Sequence, residues 1–140
     1  MGFLVVFFFK EVGMTVVRSM RWAAALLVSL TVVACGGNDD GYGAIAVSTS
    51  TNRVAIVSGE LTQSVANDEA RDECDANDCT VVLQFEECGA ASAGTMGSTL
   101  LIAVAQGSSA FDAQTAANNA CTAQGAVGCG EIPNLSAQCN

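Results

Sequence analysis

Short runs of apolar and β-branched residues alternate with alanine-spaced segments along most of the chain. Residues 43–48 and 53–58 are two such runs, and the polar residues 49–52 between them have the length of a hairpin turn. Residues 62–74 follow with a pattern that predicts a helix. Residues 80–85 are nearly all apolar or β-branched, so we predict a central strand there.

The second half of the chain shows the same kinds of segment. Residues 99–105 are its clearest strand, and Ser109 with Asp112 resembles a capping box that opens a helix. Thr62 is the corresponding N-cap of the first predicted helix. The second helix presents one face at i, i+3, i+4, i+7 and i+8, formed by Ala113, Ala116, Ala117, Ala120 and Cys121. The last run, residues 129–133, contains a proline, which favours an edge strand or a loop.

The two halves of the chain also share residues in the same order, which indicates an internal repeat. Gly43-Ala44 recurs as Gly89-Ala90, and the cysteines at 74, 79 and 88 recur at 121, 129 and 139. Chance similarity in an alanine- and glycine-rich sequence is the alternative. We therefore predict an α+β domain in which two ββαβ-like pseudo-repeats form one antiparallel sheet with two helices on one face.

An apolar segment, residues 22–34, ends immediately before Cys35 and follows the basic residues Arg18 and Arg21. It is shorter than the ~20 apolar residues that span a bilayer, and it has the length of the hydrophobic region of an export signal. Val32-Val33-Ala34-Cys35 resembles the bacterial lipobox. That resemblance implies cleavage before Cys35 and a diacylglycerol on its thiol; the alternative is a conventional signal in which Cys35 forms an ordinary disulfide.

These features divide the chain into a signal peptide (1–34), a lipidated cysteine with a short flexible tether (35–41) and a single domain (42–140). Residues 1–13 fit a signal poorly, because they contain a second apolar run and Glu11. A start codon assigned too far upstream explains them; a real extension that forms a short membrane hairpin is the alternative.

The retained part of the chain is strongly acidic. Of the 14 acidic residues, only Glu11 precedes Cys35, so thirteen carboxylates remain in this part. Its basic residues are two arginines, which gives a formal net charge of −11. This charge argues against nucleic-acid binding, which depends on phosphate neutralisation, and against electrostatic attraction to anionic lipid.

Six cysteines follow Cys35, and in an oxidising compartment an even set predicts three disulfides. A metal site or catalytic thiols are the alternatives. The chain has no Cys-x-x-Cys pair and no histidine, which disfavours zinc sites with histidine and thioredoxin-like chemistry. Of fifteen pairings, we predict the one in which each helix end is bridged to the start of the next strand: Cys74–Cys79, Cys121–Cys129 and, for the remaining pair, Cys88–Cys139.

Carboxylates provide the remaining candidate chemistry. One cluster has oxygen ligands of the kind that calcium prefers, although its spacing is not that of an EF-hand and a solvated helix face is the alternative; it comprises Asp68, Glu69, Asp72, Glu73, Asp75, Asn77 and Asp78. The carboxylate pair Glu86-Glu87 suggests glycosidase chemistry, but the side chains of adjacent residues in a strand point to opposite faces of the sheet. A Ser/His/Asp triad lacks its histidine, and Ser/Lys chemistry lacks a lysine after Cys35. We predict no catalytic residue, no metal and no cofactor.

Several of these motifs together resemble a bacterial secreted family catalogued as domain of unknown function family 4189. The resemblance begins at Tyr42-Gly43-Ala44-Ile45-Ala46 and passes through Asp78-Cys79-Thr80-Val81-Val82 and Cys88-Gly89-Ala90. It ends in the second helix with Cys121, Cys129 and Cys139. Family members tend to carry aromatic residues in the strands, where this chain has valine, isoleucine and leucine. The resemblance implies no activity.

Together, these patterns predict a cell-envelope lipoprotein that carries a small non-enzymatic binding domain, with an envelope protein or glycan as partner. An envelope hydrolase that uses a carboxylate site is the alternative. Gly36 after the lipidated cysteine resembles outer-membrane lipoproteins, so in a Gram-negative organism we expect the outer membrane.

Overall fold

The computed structural model describes residues 41–140; Cys35, the signal peptide and most of the tether lie outside the described residues. The described residues form seven strands and two helices. In chain order they are β1 (Tyr42–Val47), β2 (Val54–Glu60), α1 (Gln63–Cys74), β3 (Thr80–Phe85), β4 (Cys88–Met96), β5 (Thr99–Gly107), α2 (Ala110–Ala123), β6 (Val127–Glu131) and β7 (Gln138–Cys139). The α+β class is therefore confirmed.

The strands form two antiparallel sheets. Sheet A has the order β2-β1-β3, and sheet B has the order β5-β4-β6 with β7 also paired to β4. The prediction of one shared sheet is wrong in this respect: within residues 41–140, no ladder joins β1–β3 to β4–β7. Each ββαβ segment completes its own sheet, because its third strand returns to the free side of its first strand.

Strand β1 shows why two sheets and two helices are stacked. Ala44 and Ala46 pack in a cluster with α1, while Ile45 and Val47 pack in a second cluster with residues of β4 and β5. A strand that is apolar on both faces needs a cover on each side. Helix α2 packs on the far face of sheet B. The layers are therefore α1, sheet A, sheet B and α2, and the helices lie on opposite outer faces rather than on one.

Alanine dominates the two outer interfaces. The buried residues of α1 are Ala66, Ala70 and Cys74, and those of α2 are Ala113, Ala117 and Cys121. Small side chains let each helix lie close to its sheet; at Gly107, a Cβ would stand only 2.4 Å from the backbone nitrogen of Ala113. The larger apolar side chains are concentrated between the two sheets instead.

Phe85 is the largest fully buried side chain, and two glycines make room for it. A Cβ built on Gly43 would lie 2.2 Å from its ring, and one on Gly89 would lie 2.4 Å from it. These are the glycines of the recurring Gly-Ala pairs. The repeated dipeptide thus has a packing reason where the two sheets meet, and the duplication itself stays a prediction.

Both predicted helix starts are confirmed. The Thr62 hydroxyl accepts a hydrogen bond from the backbone N–H of Val65 at 3.3 Å, and the Ser109 hydroxyl accepts one from the N–H of Asp112 at 3.1 Å. Strand β6 lies at a sheet edge, as the nearby proline indicated. The central position predicted for residues 80–85 is wrong. β3 is an edge strand and Val82 is 48% exposed, because β1 occupies the centre of sheet A.

Candidate functional site

Three disulfides form the covalent framework of the domain. They join Cys74 to Cys79, Cys121 to Cys129, and Cys88 to Cys139. These are the same three pairs that the sequence predicted. The first two bridges tie the end of each helix to the strand that follows it, where a short turn brings the cysteines within about 6 Å between Cα atoms.

The third bridge fastens the last strand, β7, to the start of β4, and neighbouring polar contacts extend it. Asn140 donates its backbone N–H to the carbonyl of Glu87 at 2.9 Å and its side-chain amide to the carbonyl of Phe85 at 3.2 Å. Its side-chain oxygen accepts the N–H of Gly59 at 2.7 Å. One asparagine therefore links β2 of sheet A to the β3–β4 connection.

The bridges also bear on the chemistry open to this domain. Every cysteine within residues 41–140 is disulfide-bonded, so this part of the chain offers no thiolate for catalysis or metal binding. The proposed lipidation at Cys35 falls outside the described residues and stays a prediction.

Asp78 has the densest hydrogen bonding of any carboxylate in the described part of the chain. Its oxygens accept from the hydroxyls of Ser48, Ser50 and Thr49 at 2.5, 2.9 and 3.3 Å, and from the backbone N–H of Ser50 at 2.9 Å. The Ser48 hydroxyl, fully buried, in turn accepts from the N–H and the hydroxyl of Thr51. Through these hydrogen bonds, Asp78 fixes the β1–β2 turn to the segment that leads into Cys79.

These donors favour the ionised carboxylate. The hydroxyl of Ser48 contributes most, followed by the backbone N–H and the hydroxyl of Ser50, and together they hold the pKa of Asp78 well below its usual range. The sequence pattern put Asp78 in a candidate calcium cluster, and its role at the β1–β2 turn was not predicted. The signal for it is a Ser/Thr run, residues 48–51, directly after a strand, because such hydroxyls bond readily at turns.

The other acidic residues of the cluster form ion pairs or lie on the exposed surface of α1. Asp75 pairs with Arg53 at 2.8 Å, and Asp68 pairs with Arg71 on the same helix at 2.7 Å. Asp68, Glu69, Asp72 and Glu73 line an open surface depression of about 550 Å³ on α1 together with Val65. No three acidic, cysteine or histidine side chains within residues 41–140 come together in an arrangement that could hold a metal ion. The geometry therefore favours the solvated helix face over the calcium site.

Glu86 and Glu87 lie in the bend between β3 and β4, outside either strand. They line a cavity of about 440 Å³ with Gln106 and Gly107, at the end of β5. Both glutamates are exposed. The cavity is open to water and acidic, so it suits a positively charged group.

Neither helix within residues 41–140 has the length and apolar composition needed to cross a membrane. In a comparison with known protein families, the family model described as Domain of unknown function (DUF4189) matches residues 42–136. Neither the curated proteins nor the solved structures gave a match. The matched residues extend from the first residue of β1 to beyond β6 and cover most of the chain. The chain therefore belongs to the DUF4189 family, a family of unknown function.

Proposed function

We propose that this protein is a cell-envelope lipoprotein whose domain, residues 42–140, is a non-enzymatic binding module for an envelope protein or glycan. Cys35 carries the lipid, and the residues that follow it tether the domain a short distance from the membrane. We assign no cofactor to the domain, and its negative charge directs it away from nucleic acids.

The observation that carries this proposal is the complete pairing of the six cysteines in the domain. Disulfides of this density are typical of small domains that fold outside the cytoplasm. The pairing also leaves Cys35 as the seventh cysteine, outside the framework, immediately after a segment that resembles an export signal. A lipobox gives that cysteine a role.

The structure of the domain supports binding more than catalysis. Most of its carboxylates are exposed or engaged in hydrogen bonds and ion pairs, and Asp78 holds the β1–β2 turn. A domain with three bridges and two packed sheets is preorganised, and preorganisation lowers the entropy cost of recognition.

The anchor is tested by comparing the wild type with Cys35→Ser and, as a matched control, Val33→Ala, which keeps the lipobox pattern. We expect the wild type and the control to fractionate with membranes and to yield an N-terminal peptide that starts at Cys35 with added diacylglyceryl mass. Cys35→Ser should remain unprocessed. A soluble wild-type protein cleaved at another residue would contradict the anchor.

The non-enzymatic assignment is tested with the same purified protein in a screen of glycan, peptide and ester hydrolysis. We expect no turnover above that of a heat-denatured, reduced sample. Turnover that Glu86→Gln or Glu87→Gln abolishes would instead support the hydrolase alternative, and a pulldown from envelope extract would then be expected to give no stable partner.

A further inference from the structure

Within residues 41–140 the two sheets leave four outer edges, formed by β2, by β3, by β5 and, on the other side of β4, by β6 together with the two-residue β7. An unpaired edge is a template for another strand, and proteins blunt such edges with bulges. Register shifts place an extra residue in β2, in β3 at Val82, and in β6. Among the edge strands longer than two residues in this part of the chain, only β5 has continuous pairing, from Cys88↔Gly107 to Met96↔Thr99.

Strand β5 also lacks the other features that protect an edge. Its nine residues, TLLIAVAQG, contain no charge and no proline. At about 3.4 Å per residue it presents roughly 30 Å of regular backbone. The β5 edge is therefore the one edge in this part of the chain that is ready to accept another strand.

The hairpin that joins β4 to β5 determines which backbone groups point outward. Gly97 and Ser98 form a two-residue loop, so the residues that close it, Met96 and Thr99, are a hydrogen-bonded pair. Along the ladder from this pair, hydrogen-bonded and non-hydrogen-bonded pairs alternate. The outward N–H and C=O groups belong to the alternate residues Leu100, Ile102, Val104 and Gln106. No hydrogen bond within the described residues engages these N–H groups outside the ladder.

The side chains of Leu100, Ile102 and Val104 give the edge an apolar flank. Ile102 and Val104 pack into the cluster between the sheets, with Leu83 of β3, but each of the three is only half-buried. Leu100 is 42% exposed. Nothing in the described chain covers this side of the sandwich, so an added strand would bury apolar surface as well as pair its backbone.

Charge distinguishes the two ends of β5. At its last residues, Glu86 and Glu87 line the cavity beside Gln106 and Gly107, and Asp112 follows at the start of α2. The first end, residues 96–100, carries no charge. An antiparallel strand would place its own N-terminal end at these carboxylates.

We propose that the β5 edge is the binding site of the domain and that it takes an extended segment of a partner protein by antiparallel strand addition. The segment has alternating apolar residues, and basic residues at its N-terminal end meet Glu86 and Glu87. This inference rests on the proposed binding function and identifies its surface and its class of ligand.

A second copy of this chain does not match the charge of this edge. In an antiparallel β5–β5 pair, the uncharged first end of one β5, residues 96–100, would lie beside Glu86 and Glu87 of the other copy and offer these carboxylates no basic group.

Amide hydrogen exchange tests the edge directly. The probe is the blocked peptide acetyl-Lys-Lys-Val-Thr-Val-Thr-Val-Thr-Val-amide, added to the oxidised protein purified from the cell. We expect the N–H groups of Leu100, Ile102, Val104 and Gln106 to become protected, while the inward N–H groups of Leu101 and Ala103 are already slow. Protection at β3 or β6 instead, or no protection at all, would overturn the proposal.

The polarity of the site is tested with the reversed peptide, in which the two lysines stand at the C-terminal end. Two exposed ion pairs are worth roughly two- to thirtyfold in affinity, so we expect the first peptide to bind more tightly by a factor in that range. The double variant Glu86→Gln/Glu87→Gln should remove the difference. Asp72→Asn/Glu73→Gln, with the same change in charge on α1, should leave it intact; equal affinities for the two peptides in the wild type would contradict the acidic end.

A second test introduces a lysine at one of the two edges of sheet B and compares the binding of the two variants. Leu100→Lys places a charge on the β5 edge, and Val127→Lys places one on the bulged β6 edge of the same sheet, where Val127 is 69% exposed. We expect the first variant to lose binding by at least tenfold and the second to bind as the wild type does, with unfolding curves to verify both folds. A concentration-dependent dimer that Leu100→Lys abolishes would assign the edge to a second copy.

Failure here and failure of the anchor give different results. If Cys35 is lipidated but the β5 amides stay unprotected, the protein is still an anchored binding module, but its binding surface is not the β5 edge. If the amides are protected but the protein is not lipidated, the edge stands and the localisation is wrong.

Discussion

At the scale of single residues, close packing explains features that composition alone left open. Gly43 and Gly89 belong to a sequence in which glycine is common, yet both lie against the ring of Phe85. Other glycines have open space around the position of a Cβ, and Gly130 is one of them. Glycine therefore has different meanings at different positions, and the contacts decide between them.

Gly89→Ala tests this packing. The added methyl group would overlap the Phe85 ring, and overpacking of a buried site costs about 1–3 kcal/mol. Gly130→Ala is the matched control, because it adds the same methyl group where nothing lies within 4 Å. Urea unfolding of both variants measures the two free energies. Equal stabilities would show that Phe85 moves aside at no cost.

Asp78 supplies a prediction about pH. Since its pKa is lower in the folded protein than in the unfolded chain, its stabilisation is present above the unfolded pKa of about 3.9 and is lost as pH falls below it. We expect the difference in stability between the wild type and Asp78→Asn to be constant from pH 5 to 7 and to shrink in more acidic solution. Urea unfolding at a series of pH values measures this difference. Asp72→Asn, which removes the same charge at an exposed position of α1, is the matched control.

At the scale of elements, each helix is tied at both ends. A hydroxyl caps its first turn, and a cysteine in its last turn forms a disulfide with a residue at or beside the next strand. The two short bridges close loops that local structure already constrains. Cys88–Cys139 differs, because it holds a two-residue strand that has little ladder of its own.

Loop length predicts which bridge contributes most to stability. In the chain-entropy model the 51-residue separation of Cys88 and Cys139 corresponds to about 4 kcal/mol, and the five-residue separation of Cys74 and Cys79 to about 2 kcal/mol. We expect Cys88→Ala/Cys139→Ala to lower the free energy of unfolding by more than Cys74→Ala/Cys79→Ala does. Urea unfolding measures both. An equal or larger loss from the short bridge would mean that packing at the buried Cys74 dominates.

At the scale of the whole molecule, the two ββαβ segments share one apolar centre. Phe85 from the first segment lies against Gly89 of the second, and Ile45 and Val47 share a cluster with Ala91. A single segment would expose this face of its sheet to water. The domain therefore depends on both halves.

A fragment of residues 42–87 tests this dependence. It contains sheet A and α1 with the Cys74–Cys79 bridge, but it lacks sheet B, and a three-stranded sheet with one bare apolar face is not expected to be stable. We predict a poorly dispersed amide NMR spectrum for the fragment, with the oxidised full domain as the reference. A dispersed and stable spectrum would show that the halves fold independently.

Local signals in the sequence determined the helices, their buried faces and the two short disulfides of this protein. The hydroxyls of Thr62 and Ser109 marked the helix starts, the alanine spacing marked the buried faces, and cysteine positions beside a helix end gave the short bridges, because capping, periodicity and short loops act over few residues. The α+β class followed from the order of these elements.

Contacts between distant residues were decided only by the tertiary structure. The division into two sheets, the edge position of β3, the Ser48–Asp78 hydrogen bond and the unblunted β5 edge all depend on which strands become neighbours. A central strand and an edge strand that packs against a second sheet can have the same apolar pattern, because both can be buried on two faces. That choice follows from how the two halves pack against each other, which no short stretch of sequence records.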